Sequence, residues 1–220
     1  MWNIIIIIIL ILIVIWFLYN LSHVLVVDFL TSRRKICNNL DGRCYPIVDI
    51  FDKNTLNEAS NKLAYLNGFS IKILRHMRNK YLWNSRGEET YRGRMTRKLL
   101  NNYDPDSIIE NNPSSDKNTS YVEDKGKVYA LCLREKESGK HNFHDNNILE
   151  FVVLHEMSHM STDVVGHDED EFWINFKILL HEAKELGLHN PVNYSEYPIS
   201  YCSLYVDYNP FFDDTLDTPY

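Results

Sequence analysis

Residues 2–19 read WNIIIIIILILIVIWFLY, apolar but for Asn3, and as a helix this run would reach ~27 Å, close to the thickness of a bilayer's hydrocarbon core. No Lys or Arg precedes it and no small-x-small cleavage site follows, so it predicts an uncleaved single-pass anchor over residues 1–30. Residues 31–54 then read as a hydrophilic juxtamembrane junction ending on an extended segment, PIVDIF at 46–51. From 55 to 82 apolar residues return at helical spacing (Leu56, Ala59, Leu63, Leu66, Phe69, Ile73, Met77, Leu82), with Gly68 placed to break or kink the helix.

A second helical pattern, about 88–101, carries Arg92, Arg94, Arg97 and Lys98, which read as a solvated face, and stops at Asn102-Tyr103-Asp104-Pro105. Turn-forming residues fill 111–120, and β-favouring residues then cluster over 127–134, the length of a strand. A polar turn containing Gly139 leads to Asp145, suited to cap a helix over 146–161. A further helix is expected over about 170–186, closed by Gly187 and Pro191. The tail from 192 to 220 is rich in Tyr, Pro and Asp and has short strand-like stretches but no convincing periodic element. The pattern therefore predicts an α+β chain: an anchor at 1–30, a junction at 31–54 and one globular domain at 55–220.

Charge narrows the class of partner. With a formal net charge of -7 and no extended basic stripe, the chain lacks the surface that nucleic-acid binding requires. The lipid bilayer is the expected partner of the anchor. Arg33, Arg34 and Lys35 directly follow the apolar run, which places the domain on the cytoplasmic side. Two sequons, Asn118-Thr119-Ser120 and Asn193-Tyr194-Ser195, matter only if the domain is lumenal. Four scattered cysteines, Cys37, Cys44, Cys132 and Cys202, fit free thiols in a reducing compartment. A bridge between Cys37 and Cys44 is the alternative and requires an oxidising space.

The chemistry concentrates in NNILEFVVLHEMSHM, residues 146–160. His155 and His159 lie four apart, so a helix stacks their imidazoles on one face, where both can hold a single zinc ion at about 2.0 Å. Glu156 projects one position round the helix, within reach of a zinc-bound water, whose proton it can take as the water attacks a carbonyl. Burying two imidazoles and a carboxylate beside Phe151, Val152, Val153 and Leu154 without a compensating ion would be costly. A catalytic zinc wants a third protein ligand and one open position. Gly166 can turn the chain so that His167 folds back over the motif, and His167 is preferred over Asp163, Glu169 and Glu171. His181 and His189 read as packing residues, and Tyr194, Tyr197 and Tyr201 as part of a segment covering the domain.

The string LHEMSHM followed by GHDEDEFWINFKILLHEAKELGL resembles the HExxH, Gly-His and EFW pattern of the WLM/SprT-like zinc metallopeptidases. The likeness is greatest to metallopeptidase-like proteins of large DNA viruses, in which a VYALCLRE-type strand precedes and an NYSEYPISYC-type segment follows. It covers about residues 90–210. The resemblance implies a minimal zincin fold, a small sheet packed on an active-site helix, with His155, His159 and His167 as ligands of one zinc and Glu156 as the catalytic residue. The expectation is a membrane-anchored zinc metallopeptidase acting on protein or peptide substrates. The alternative is a catalytically silent zinc-fold protein of a membrane or virion, structural or interacting in role.

Overall fold

Asp52 opens the first helix by accepting, through Oδ1, the backbone N–H groups of Asn54 at 2.8 Å and Thr55 at 3.3 Å. Helix α1 (Lys53–Tyr81) then runs through Gly68 unbroken. A mid-helix glycine costs only about 1 kcal/mol, and Leu63, Leu66, Phe69 and Ile73, all buried around it, more than offset that. Helix α2 (Tyr91–Asn102) is capped by the Thr90 hydroxyl, which accepts from Gly93 N at 3.0 Å. Helix α3 (Asn146–Ser161) begins at Asp145, as its pattern predicts, and helix α4 (Asp170–Glu185) ends where Gly187 adopts φ 65° and donates to Lys184 O at 2.9 Å. The structure is a computed structural model that describes residues 12–16, 33–49, 52–83, 89–112, 119–135, 142–163 and 166–219.

Strands β1 (Arg33–Cys37) and β2 (Cys44–Val48) form an antiparallel hairpin in the stretch whose polarity reads as a connector. Its burial pattern is not a clean alternation: Tyr45, Ile47 and Val48 are buried, while Cys44 is exposed and Pro46 half-buried. A three-stranded sheet has the order β3-β5-β4, with β3 (Ile108–Glu110) parallel and β4 (Tyr121–Glu123) antiparallel to β5 (Val128–Leu131). A second hairpin, β6 (Ile199–Tyr201) and β7 (Leu204–Val206), forms in the tail without a legible period. The chain is thus α+β, with several helices against small sheets. Helix α3 is buried on nearly every side and packs against α1, α2 and α4, as a helix apolar all round must.

Two sequence expectations change here. The cysteines are not free thiols: Cys37 pairs with Cys44, and Cys132 pairs with Cys202 across seventy residues. Disulfides persist in oxidising spaces, so the cysteines no longer argue for a reducing compartment. Arg92 is not simply solvated; its Nη1 donates to Tyr81 OH at 2.9 Å and lies 3.4 Å from the buried carboxylate of Glu182, which His76 and Lys80 also reach. As for the anchor, residues 12–16 are helical and exposed, and the rest of the apolar run lies outside the described residues. Among the described residues no helix is long and apolar enough to cross a membrane.

The β4–β5 turn depends on glycine. Asp124, Lys125 and Gly126 all have positive φ, and a Cβ at Gly126 (φ +113°) would sit 2.1 Å from Asn102 O. Gly126→Ala is therefore expected to destabilise the protein by about 2 kcal/mol or more, measured by denaturant unfolding.

Candidate metal centre

The C-terminal end of α3 is held by its neighbours. The carbonyls of a helix's last turn have no partner within the helix. Here Asn102 Nδ2 donates to Met160 O at 2.7 Å, Asn175 Nδ2 to Ser161 O at 3.3 Å, and Lys125 Nζ to Thr162 O at 2.7 Å. Asn175 is itself oriented by the hydroxyl of Tyr91, which donates to its Oδ1 at 2.8 Å. The last two turns, which carry His155 and His159, are thus fixed from α2, α4 and the β4–β5 turn.

His167 comes to them from the connection to α4. Gly166 adopts φ +88°, and Trp173 Nε1 donates to His167 O at 2.9 Å, with the two rings 5.7 Å apart. His167 Nε2 lies 3.1 Å from both His155 Nε2 and His159 Nε2, and the three nitrogens are all within 4.8 Å of one another. The rival Asp163 instead pairs with Lys98 at 2.6 Å, and Glu171 lies 3.7 Å from the same lysine. Phe172, fully buried, packs against all three imidazoles at 4.5–5.0 Å between ring centroids. Neither Phe172 nor Trp173 emerges from the sequence as a site residue, although both stand in the EFW string that carries the resemblance.

Burial holds the imidazoles neutral. His155 is pushed well below its usual range by burial and then by His159 and His167, and His159 to about 4 by burial, His167 and Lys125. His167 is lowered by burial, against the opposing pull of Asp168. Three neutral imidazoles at this spacing cannot all satisfy one another by hydrogen bonds, since each carries a single N–H. A tetrahedral zinc with bonds of about 2.05 Å separates its nitrogen ligands by about 3.3 Å, so the arrangement fits such an ion.

Glu156, 4% exposed, lines the same cleft of about 780 Å³ as the three histidines. Burial raises its carboxyl from the usual 4.5 to about 8, a shift that a bound dication would oppose. The cleft runs between edge strand β4 and hairpin β6–β7, with Phe176, Trp173 and Tyr205 among its apolar lining.

These shifts set opposite pH dependences for the metal-free protein. Below the ordinary histidine value of 6.5 the unfolded chain binds more protons, so stability present above pH 6.5 is lost as the pH falls towards 4. Glu156 contributes most below 4.5, and that contribution is lost as the pH rises through about 8. Thermal unfolding of chelator-treated protein is expected to show the highest midpoint near pH 6.5 from these groups. Added zinc should raise the midpoint most at neutral pH, where the imidazoles are free of protons.

Of the other histidines and tyrosines singled out in the sequence, Tyr201 lines the cleft and the rest lie outside it. His181 packs on Phe211 at 4.4 Å, and buried His189 meets Glu150 through Nδ1 at 3.1 Å. Tyr194 and Tyr201 are buried and Tyr197 is exposed. Tyr201 OH donates to Cys132 O at 2.7 Å and also lies 2.7 Å from Ser120 Oγ, so it is tied into the fold.

The chain's homologues are uncharacterised proteins of large DNA viruses. It is 36% identical over 101 residues to one from Acanthamoeba polyphaga mimivirus, covering 46% of this chain and 49% of that protein. It is 41% identical over 71 residues to one from Invertebrate iridescent virus 6, covering 32% and 39%, and 36% identical over 78 residues to one from Invertebrate iridescent virus 3, covering 36% and 46%. The chain spans about half or less of the length of these relatives. No protein-family model matches it, and no solved structure gives a significant match.

Proposed function

We propose that this chain is a zinc metallopeptidase of the WLM/SprT-like kind, held at a membrane by its N-terminal apolar run and hydrolysing peptide bonds of protein substrates. The observation that carries the reading is the meeting of three neutral imidazole nitrogens beside a buried carboxylate in one cleft. A zinc ion held by His155, His159 and His167 would supply the Lewis acidity that polarises a carbonyl oxygen and acidifies a water. Glu156 takes one proton from the attacking water and passes it to the amide nitrogen. The C–N bond then breaks as the new C–O bond is completed, and the leaving group departs as an amine. Phe172 and Phe176 pack against the imidazoles and make that side of the centre apolar, which strengthens polar interactions there.

The test is metal analysis of the purified full chain in detergent, followed by incubation with an unfolded protein substrate. One zinc per chain and cleavage that is lost to a chelator and restored by zinc are expected. Full zinc occupancy without turnover would favour the silent, scaffolding reading, and no metal uptake would defeat both. The charge of Arg33, Arg34 and Lys35 favours a domain on the cytoplasmic side, whereas two disulfides fit an oxidising space. A glycosidase-sensitive mobility shift traced to Asn193 would decide for the lumen.

A further inference from the structure

We infer that the Cys132–Cys202 disulfide positions the substrate-contacting wall of the cleft, and that reducing it frees that wall while leaving the histidine centre intact. The inference deepens the peptidase reading, on which its kinetic part rests.

Hairpin β6–β7 hydrogen-bonds in a sheet of its own, separate from β3-β5-β4. An isolated two-stranded hairpin is marginal in water, so its placement depends on what ties it to the domain. Two adjacent residues at its turn do so. Tyr201 OH donates to Cys132 O at 2.7 Å and meets Ser120 Oγ at 2.7 Å, and Cys202 is bonded to Cys132 beyond the end of β5. Cys202 Sγ also lies 3.4 Å from Arg134 O and 3.3 Å from His144 Nε2, whose ring packs 4.8 Å from that of Tyr201.

The turn itself is unusual. Cys202 (φ 48°) and Ser203 (φ 70°) occupy the two central positions of a two-residue turn between paired Tyr201 and Leu204. Both φ values are positive, a geometry that normally selects Asn-Gly. Non-glycine residues stay in that region where the surroundings over-determine them, and here the covalent tether does so. Beyond the clasp, Leu204 and Tyr205, 55% and 67% exposed, line the cleft that also holds the three histidines and Glu156. The histidines are carried by α3 and the connection to α4 and owe no bond to the hairpin. Loss of the clasp should therefore loosen the wall and spare the centre.

Reduction is a balanced thiol–disulfide exchange with a dithiol. Its thiolate attacks one sulfur of the bond and displaces the other, and its second thiol resolves the mixed disulfide. The dithiol leaves as a disulfide, and Cys132 and Cys202 remain as two thiols. His144 Nε2 is placed to hydrogen-bond the Cys202 sulfur once it is released.

The experiment uses the full chain carrying Cys37→Ser and Cys44→Ser, so that one disulfide remains. It compares the oxidised protein with protein reduced by a phosphine, which unlike a dithiol does not introduce thiols that compete for zinc. Alkylation and mass spectrometry establish the redox state. The expected result is at least tenfold faster hydrogen exchange of the amides at 199–206, unchanged protection of α3 and α4, unchanged zinc content, and a severalfold rise in KM with a smaller change in kcat. A Cys132→Ser, Cys202→Ser variant should reproduce it. Equal exchange at 199–206 in both redox states overturns the inference. So does a loss of protection that spreads into α3, which would make the bond a general staple of the fold. If the oxidised protein binds no zinc or cleaves nothing, the peptidase reading fails, and the exchange data still decide the clasp.

Discussion

Replacing Glu156 with Gln is expected to lower kcat against an unfolded protein substrate about a thousandfold, within the range that a positioned general base contributes, while zinc stays bound. The amide is nearly isosteric with the carboxyl, so it fits the same buried position, but it cannot accept the water's proton. Because Glu156 is not among the converging nitrogens, the metal content of the variant should equal that of the parent. The substitution also removes the titrating carboxyl that burial raises to about 8. The metal-free variant should therefore lose less stability than the parent between pH 6.5 and 8. Zinc analysis, kinetics and thermal unfolding read these outcomes separately. A variant that keeps zinc and full kcat would remove Glu156 from the chemistry.

Arg134→Met is expected to cost about 3–5 kcal/mol of stability, the range for breaking one side of a buried ion pair. Arg134 and Glu110 have fully buried side chains 2.7 Å apart. Glu110 Oε2 also accepts from Val48 N at 3.0 Å, its backbone carbonyl accepts from Arg33 Nε at 2.9 Å, and the guanidinium lies 4.2 Å from the Phe143 ring centroid. The pair thereby joins the β1–β2 hairpin to β3 and to the chain leaving β5. Burial raises the Glu110 carboxyl even though Arg134 opposes the shift. Once the guanidinium is gone the carboxyl should take up a proton, and the midpoint of unfolding should fall by roughly 10 °C. Adding Glu110→Leu to Arg134→Met is expected to recover part of the loss, because the cost of a buried carboxyl without its partner then disappears. Strict additivity of the two substitutions would show that the pair is not coupled.

Much of the histidine centre is legible along the chain because it depends on short-range geometry. The four-residue spacing of His155 and His159, the cap at Asp145 and the stop at Gly187 each follow from periodicity and backbone preference within one helix. Gly166 and His167 are readable because a glycine turn joins two well-marked helices. What surrounds the centre is not readable in that way. Phe172 looks like any apolar residue on the inner face of α4 until α3 is packed against it. Gly68 has the signature of a helix break, but burial on both sides of it outweighs the local cost.

The helices, the spacing of the histidines and the carboxylate beside them can be read along the chain, since each is settled by residues a turn or two apart. Strand β1, the three-residue strands, the pairing of Cys132 with Cys202, the Glu110–Arg134 pair and the second wall of the cleft appear only once the chain is packed. The difference is one of range. A three-residue strand has too few local hydrogen bonds to declare itself, and a contact across twenty-four or seventy residues exists only when the intervening chain has folded to bring its ends together.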